Sequence, residues 1–202
     1  MIAIIDYGMG NIHSVQKALE SMGAQTLVTN KLEDIGACDK AVLPGVGAFG
    51  DAMLEIEKQG LIPAIKEHIK KNKPFLGICL GMHLLFSSSE ESPGVKGLGI
   101  FKGKVDKFRA GKELKVPHMG WNQLKIKDNR CPLFKDLTQD GFVYFCHSYY
   151  PVPKIKEIIA ATTQYGFDFA SIIWQDNIFA TQFHPEKSQS VGLKILENFI
   201  RL

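Results

Sequence analysis

The chain has 202 residues, 24 of them Lys or Arg against 21 Asp or Glu, for a formal charge of +3, and 45% of it is hydrophobic. That is enough for one domain, residues 1–202, with a full-sized core; the lysines are spread along it, so neither a nucleic-acid tract nor a membrane-surface tract is indicated. No apolar stretch is long enough to span a bilayer and no basic segment precedes the first apolar run, while Cys38, Cys79, Cys131 and Cys146 show no paired spacing, which points to a reducing cytoplasm rather than a disulfide framework.

The first half alternates strand and helix. Residues 2–5 are a buried strand. A helix is predicted from about Asn11, with Ile12, Val15, Leu19 and Met22 on one face and Gly23 as its stop. Strands at 26–28 and 41–43 follow, then helical pattern through 52–56 and 62–69, then a short apolar strand, Pro74-Phe75-Leu76-Gly77-Ile78. This is an α/β pattern, a doubly wound and mainly parallel sheet. After about Gly97 the rhythm changes. Alternating segments at 100–108, 122–126, 142–145, 158–163, 170–174 and 178–183 are separated by turns such as Asp128-Asn129, Gln139-Asp140-Gly141 and Gln175-Asp176-Asn177. They are expected to be mainly antiparallel strands added to the parallel core. The chain closes with an amphipathic helix whose inner face carries Val191, Ile195, Leu196 and Phe199.

The chemistry concentrates in two short segments. In Gly77-Ile78-Cys79-Leu80-Gly81 a cysteine sits between the apolar strand and a helical pattern at 80–86. A side chain held on such a sharp strand-to-helix turn crowds its neighbours, so small residues are wanted two before and two after it, as in hydrolase nucleophile elbows. The turn aims the sulfur at a helix N-terminus and leaves the Leu80 amide free for an oxyanion. In His184-Pro185-Glu186, at the end of a strand-like run, a carboxylate two residues on can orient the imidazole. Nucleophile, base and orienting carboxylate are the minimum equipment for acyl transfer through a thioester. No third ligand-type residue stands nearby at metal-site spacing, so no metal and no cofactor are expected.

Two glycine-rich spots follow strands. Tyr7-Gly8-Met9-Gly10-Asn11 lacks the full dinucleotide pattern and reads as a tight turn with Asn11 near the helix cap. Pro44-Gly45-Val46-Gly47 is either a plain turn or a loop whose Gly45 and Val46 amides add to the oxyanion site beside Cys79.

With these motifs the chain resembles the class I glutamine amidotransferases over essentially its full length. Within that family, Asp6-Tyr7-Gly8-Met9-Gly10-Asn11, Pro117-His118-Met119-Gly120-Trp121-Asn122, His147-Ser148-Tyr149-Tyr150 and Gln182-Phe183-His184-Pro185-Glu186-Lys187-Ser188 resemble the motifs of members that supply ammonia in histidine biosynthesis. The resemblance implies hydrolysis of L-glutamine to glutamate and ammonia, with Cys79 forming the thioester, His184 moving protons and Glu186 orienting it. It implies that His147, Ser148 and Tyr149 lie against the amino-acid end of glutamine. It also implies a heterodimer with a (β/α)8-barrel cyclase, which uses the ammonia to form imidazole glycerol phosphate and aminoimidazole carboxamide ribotide. Asn11, Trp121, Tyr144 and Lys187 would face that partner or the ammonia's path.

One departure stands out. The family pattern usually ends Gly-x-Cys-x-Gly-x-Gln, with the glutamine contacting substrate, and His83 occupies that place here. An imidazole offers different donors and acceptors from an amide. Open alternatives are a tolerated substitution, a paralogue feeding another acceptor such as a surface sugar, a stand-alone cysteine hydrolase, and an interaction subunit without turnover.

Overall fold

The N-terminal apolar run forms strand β1 (Ile2–Ile5), whose side chains alternate between two cores, Ile2 and Ile4 on one side and Ala3 and Ile5 on the other. The structure, a computed structural model, describes residues 1–109, 114–137 and 141–202. After β1 come α1 (Ile12–Ser21), β2 (Thr26–Thr29), α2 (Leu32–Ala37), β3 (Lys40–Gly45), α3 (Phe49–Lys58), α4 (Leu61–Lys70), β4 (Phe75–Cys79) and α5 (Leu80–Leu84). The second half holds β5 (Gly103–Lys107), β6 (His118–Gln123), β7 (Lys125–Ile126), β8 (Phe142–His147), β9 (Tyr149–Pro153), β10 (Ile159–Tyr165), β11 (Phe167–Gln175), β12 (Ile178–Thr181) and α6 (Gln189–Ile200).

The main sheet runs β2-β1-β3-β4-β12-β11-β10-β7. From β2 to β12 the pairings are parallel, and beyond β12 they are antiparallel. Both faces are covered, as a parallel sheet requires. On one face lie α1, through Val15 and Leu19, and α6, through Ile195, Leu196 and Phe199. On the other lie α3, through Phe49, Met53 and Ile56, and α4, through Leu61 and Ile65. Each such side chain contributes roughly 1.5–3 kcal/mol by leaving water.

The α/β class and the mainly parallel sheet agree with the sequence reading, and the differences have identifiable causes. Helix α2 has only one buried residue, Ile35, and a glycine within it, too little periodicity to read. Strand β9 carries Pro151 and Pro153, which argue against a central strand; among the described residues it pairs only with β5. Not all the later strands join the core. β5 with β9 and β6 with β8 form separate two-stranded sheets. The last strand, β12, inserts beside β4 in parallel, so the antiparallel extension hangs from a crossover rather than from β4 directly. The helix after Cys79 is shorter than the 80–86 pattern, ending at Leu84. The expected turn at Gln139-Asp140 lies outside the described residues, apart from Gly141. Among the described residues no helix is long and apolar enough to cross a membrane.

Candidate active site

Strands β3, β4 and β12 are parallel neighbours, so their C-terminal ends, which carry the Gly45 loop, Cys79 and the approach to His184, meet at one end of the sheet. That is where α/β ligand sites form. The register sets Gly45 directly beside Cys79.

Cys79 is the hinge between β4 and α5, with φ 56° and ψ −110°. A side chain in this region costs on the order of 1–3 kcal/mol of backbone strain, which the packing around it sustains. A Cβ at Gly81 would run into the carbonyl oxygen of Leu43, and one at Gly77 would stand 2.9 Å from the carbonyl oxygen of Gly81. The two glycines therefore permit the elbow to press against β3. Behind it, the buried Tyr7 hydroxyl lies against Gly45, where an added Cβ would stand 2.5 Å from it. Burial raises the Tyr7 pKa, reinforced by the nearby Cys79 and Asp6.

His184 and Glu186 meet, but not along an extended strand as their spacing suggested. Pro185–Lys187 is a single 3-10 turn, and across it His184 Nδ1 stands 2.9 Å from Glu186 Oε1. The ring is further held by its own backbone. The His184 N–H donates to the Tyr144 carbonyl at 3.0 Å, the Ser188 hydroxyl donates to the His184 carbonyl at 2.6 Å, and the Tyr144 N–H donates to Ser188 Oγ at 2.9 Å. Glu186 occupies Nδ1, which leaves Nε2 as the ring nitrogen on the side of Cys79. Burial works against charge on His184, yet the hydrogen bonds and charges of Cys79 and Glu186 outweigh it and hold the imidazole up to about 10. A ring that keeps its proton to that pH faces the sulfur as a cation at neutrality.

The sulfur opens on a cavity of about 380 Å³. Among the residues singled out from sequence, Val46, Cys79, Leu80, His83, Tyr144, His147, Ser148, Tyr149, His184 and Lys187 line it. Four do not. Gly45 lies beneath the loop and Glu186 behind His184. Trp121 stands on the outer face of the β6–β8 sheet, opposite Tyr144. Asn11 stands just before α1, with no side-chain hydrogen bond to the helix end, in the loop after β1 that abuts Pro44 through Gly10. His83 is buried, with Nε2 on Gln182 Oε1 at 2.7 Å, and burial lowers its pKa to about 4 despite that bond.

Sequence reasoning missed Gly47, Glu91, Pro117 and Cys146, which also line the cavity. Glu91 is the acid among them, and its Oε2 accepts the Phe49 N–H at the start of α3 at 2.8 Å. It stands in a serine-rich turn with no periodicity to mark it. Cys146 has an exposed thiol, and its carbonyl oxygen is 3.9 Å from Cys79 Sγ. By contrast Cys38 and Cys131 are buried thiols that burial pushes up, Cys131 to about 12. Among the described residues no group of three His, Cys, Asp or Glu side chains is placed to hold a metal ion.

The family profile described as "Glutamine amidotransferase class-I" matches residues 3–202. Imidazole glycerol phosphate synthase subunit HisH of Methanocaldococcus jannaschii is 52% identical over 206 residues, covering 100% of both chains. That of Geobacter sulfurreducens is 52% identical over 203 residues, covering 98% of this chain and 97% of its own. In fold, the chain is similar to a structure of PurLQS from Thermotoga maritima, with TM-score 0.78 and 17% identity over 99% of this chain and 97% of the other. It is also similar to the glutaminase domain of Trypanosoma brucei CTPS, with TM-score 0.68 and 16% identity over 99% and 93%. A family match that runs to the last residue, joined to relatives half identical along their whole length, means that this chain belongs to the class I glutamine amidotransferases.

Proposed function

We propose that the chain is the glutaminase subunit of an imidazole glycerol phosphate synthase in histidine biosynthesis, working in the cytoplasm. The observation that carries the reading is the meeting of Cys79 and His184 at one cavity, with Glu186 bonded to the imidazole behind it, in a chain half identical to subunits of that name.

On this reading the Cys79 sulfur attacks the side-chain amide carbon of glutamine. The thiol proton passes by way of His184 to the leaving nitrogen as the C–N bond breaks, releasing ammonia and leaving a thioester. Water then attacks the thioester carbon, giving a proton to His184 and freeing glutamate and the thiol. Glu186 keeps the ring in one tautomer and balances its charge. The Leu80 amide and the Gly45-Val46 loop, which neighbours the elbow, are the donors for the oxyanion on this reading. The Ser148-Tyr149 segment also lines the cavity, as does Glu91, whose carboxylate is a natural partner for the substrate ammonium. His83 fills the usual glutamine position as a neutral ring spent on Gln182.

Free ammonia in water is mostly protonated, so the product needs a covered exit. The outer face of the β6–β8 sheet supplies a surface for a cover. Register pairs Met119 with Cys146 and Trp121 with Tyr144, and Met119 is 61% and Phe142 55% exposed. An apolar patch at the lip of a reactive cavity fits a partner subunit, here the (β/α)8-barrel cyclase, with Tyr144 and Lys187 at the cavity mouth and Asn11 at its margin. Glutamate release measured with and without that cyclase tests the proposal. Release that rises when cyclase and its ligand are added, and vanishes in Cys79→Ala, supports it; undiminished turnover in Cys79→Ala refutes it. An electrophilic glutamine analogue should label Cys79 and spare the exposed thiol of Cys146.

A further inference from the structure

Beside the cavity, and outside the catalytic group, lies an unbroken chain of side-chain hydrogen bonds. Asn122 Nδ2 is 3.2 Å from His118 Nε2; His118 Nδ1 is 3.0 Å from His147 Nε2; His147 Nδ1 is 2.8 Å from the Tyr149 carbonyl oxygen. The two ends dictate every proton between them. A carbonyl only accepts, so His147 carries its proton on Nδ1 and presents a lone pair on Nε2. His118 must then donate from Nδ1 and accept at Nε2. Asn122 supplies that donor, and its amide has no freedom to turn over. Its oxygen takes the Gln123 N–H at 2.8 Å and its nitrogen also donates to the Gln164 carbonyl at 2.9 Å. The His118 ring cannot rotate away either, being stacked between Tyr165 and Phe145 with centroids 4.0 and 4.8 Å off.

We propose that His118 is a positioning residue for glutamine: with Asn122 it locks His147 in the Nδ1–H tautomer, and thereby ties residues 147–149 on the cavity wall to strand β6, whose other face carries Met119 and Trp121. This rests on residues 147–149 being the seat of the amino-acid end of the substrate. His118 and Asn122 face inward from the strand whose Met119 and Trp121 face outward, so one strand carries both the exposed apolar face and the hydrogen bond to the substrate wall. Both rings are kept neutral by burial, His118 at about 4 and His147 well below its ordinary value, as the chain of protons requires.

The test has two parts on the full chain. Long-range proton–nitrogen NMR of the native protein should find both rings as Nδ1–H, the minority form of a free histidine; Nε2–H on either ring overturns the proposal. In steady-state glutaminase assays with the cyclase, His118→Leu removes the donor and should raise the glutamine KM about tenfold with kcat held within about threefold, the signature of lost ground-state positioning. In His118→Asn an amide nitrogen takes the place of Nδ1, and KM should return to within about threefold of native. An unchanged KM in His118→Leu, or His118→Asn no better than His118→Leu, overturns it. Should His118→Leu fail to fold, the native tautomers still decide. Ser148→Trp separates the underlying reading. It obstructs the seat whatever His118 does, so an unchanged KM there refutes the seat itself, whereas a raised KM with the wrong tautomers refutes only the role of His118.

Discussion

Glu186→Gln isolates the electrostatic part of the proposed catalytic group. The Glu186 side chain is 0% exposed, one oxygen accepts from His184 Nδ1 at 2.9 Å, and the other meets no donor among the described residues. Glutamine has the same shape and keeps an oxygen for the Nδ1 proton, so the ring keeps its place while the charge is lost. Two unit charges about 4 Å apart, at an effective dielectric near 20, attract by about 4 kcal/mol. Losing that attraction makes the protonated ring, which is the resting form while Glu186 is in place, costlier to reach, and kcat falls by up to about a thousandfold. The same substitution changes the pH dependence of stability. His184 has a folded pKa raised to about 10, so its contribution is fully present below about pH 6.5 and is lost as pH rises toward 10. Without the carboxylate the folded value falls, and the loss of stability on the alkaline side becomes shallower. Glutamate release at saturating glutamine gives the first quantity, and urea midpoints from pH 7 to 9.5 the second. A folded variant with kcat within tenfold of native, or with an unaltered alkaline limb, would show that the charge of Glu186 does not sustain His184.

Gly81→Ala should destabilise the protein by about 3 kcal/mol, because its Cβ has nowhere to go but the Leu43 carbonyl; a native urea midpoint would mean that the elbow has slack. His83→Gln should flatten the acid side of the stability profile. Burial lowers the folded pKa of His83 to about 4, so the unfolded chain takes the proton first, and stability present above about pH 6.5 is lost as pH falls toward 4. That single group accounts for about 2 kcal/mol between pH 8 and pH 5, read as the difference between the two proteins' urea midpoints; identical acid limbs would contradict a neutral, buried His83. Trp121→Ala should weaken binding of the cyclase about tenfold or more without altering unaided glutamate release, as measured by titration calorimetry; unchanged affinity would remove the β6–β8 face from the interface.

The residues themselves declared more of the site than of the fold. Gly77, Cys79 and Gly81 mark an elbow because the steric demand of that turn is local: the collision at Gly81 is with Leu43, one strand away, but the need for a missing Cβ is written at the position itself. His184 and Glu186 are legible for the same reason, their contact spanning two residues, although the 3-10 turn that makes it was not. The alternation of apolar runs also determined the parallel half of the sheet, since strands buried on both faces cannot be written otherwise. What the tertiary structure alone decided are the relations between distant segments. The placement of β12 against β4 brings His184 to Cys79, a separation no periodicity reports. Glu91 reaches the cavity from a turn without pattern, and Cys146 is exposed there because it pairs with Met119 on a small sheet of its own. The proton order through Asn122, His118 and His147 exists only because β6 and β8 lie in register, His118 opposite His147. Local sterics and periodicity act within a turn or a strand; the meeting of strands is settled by packing the whole chain, and there the wall of the cavity is made.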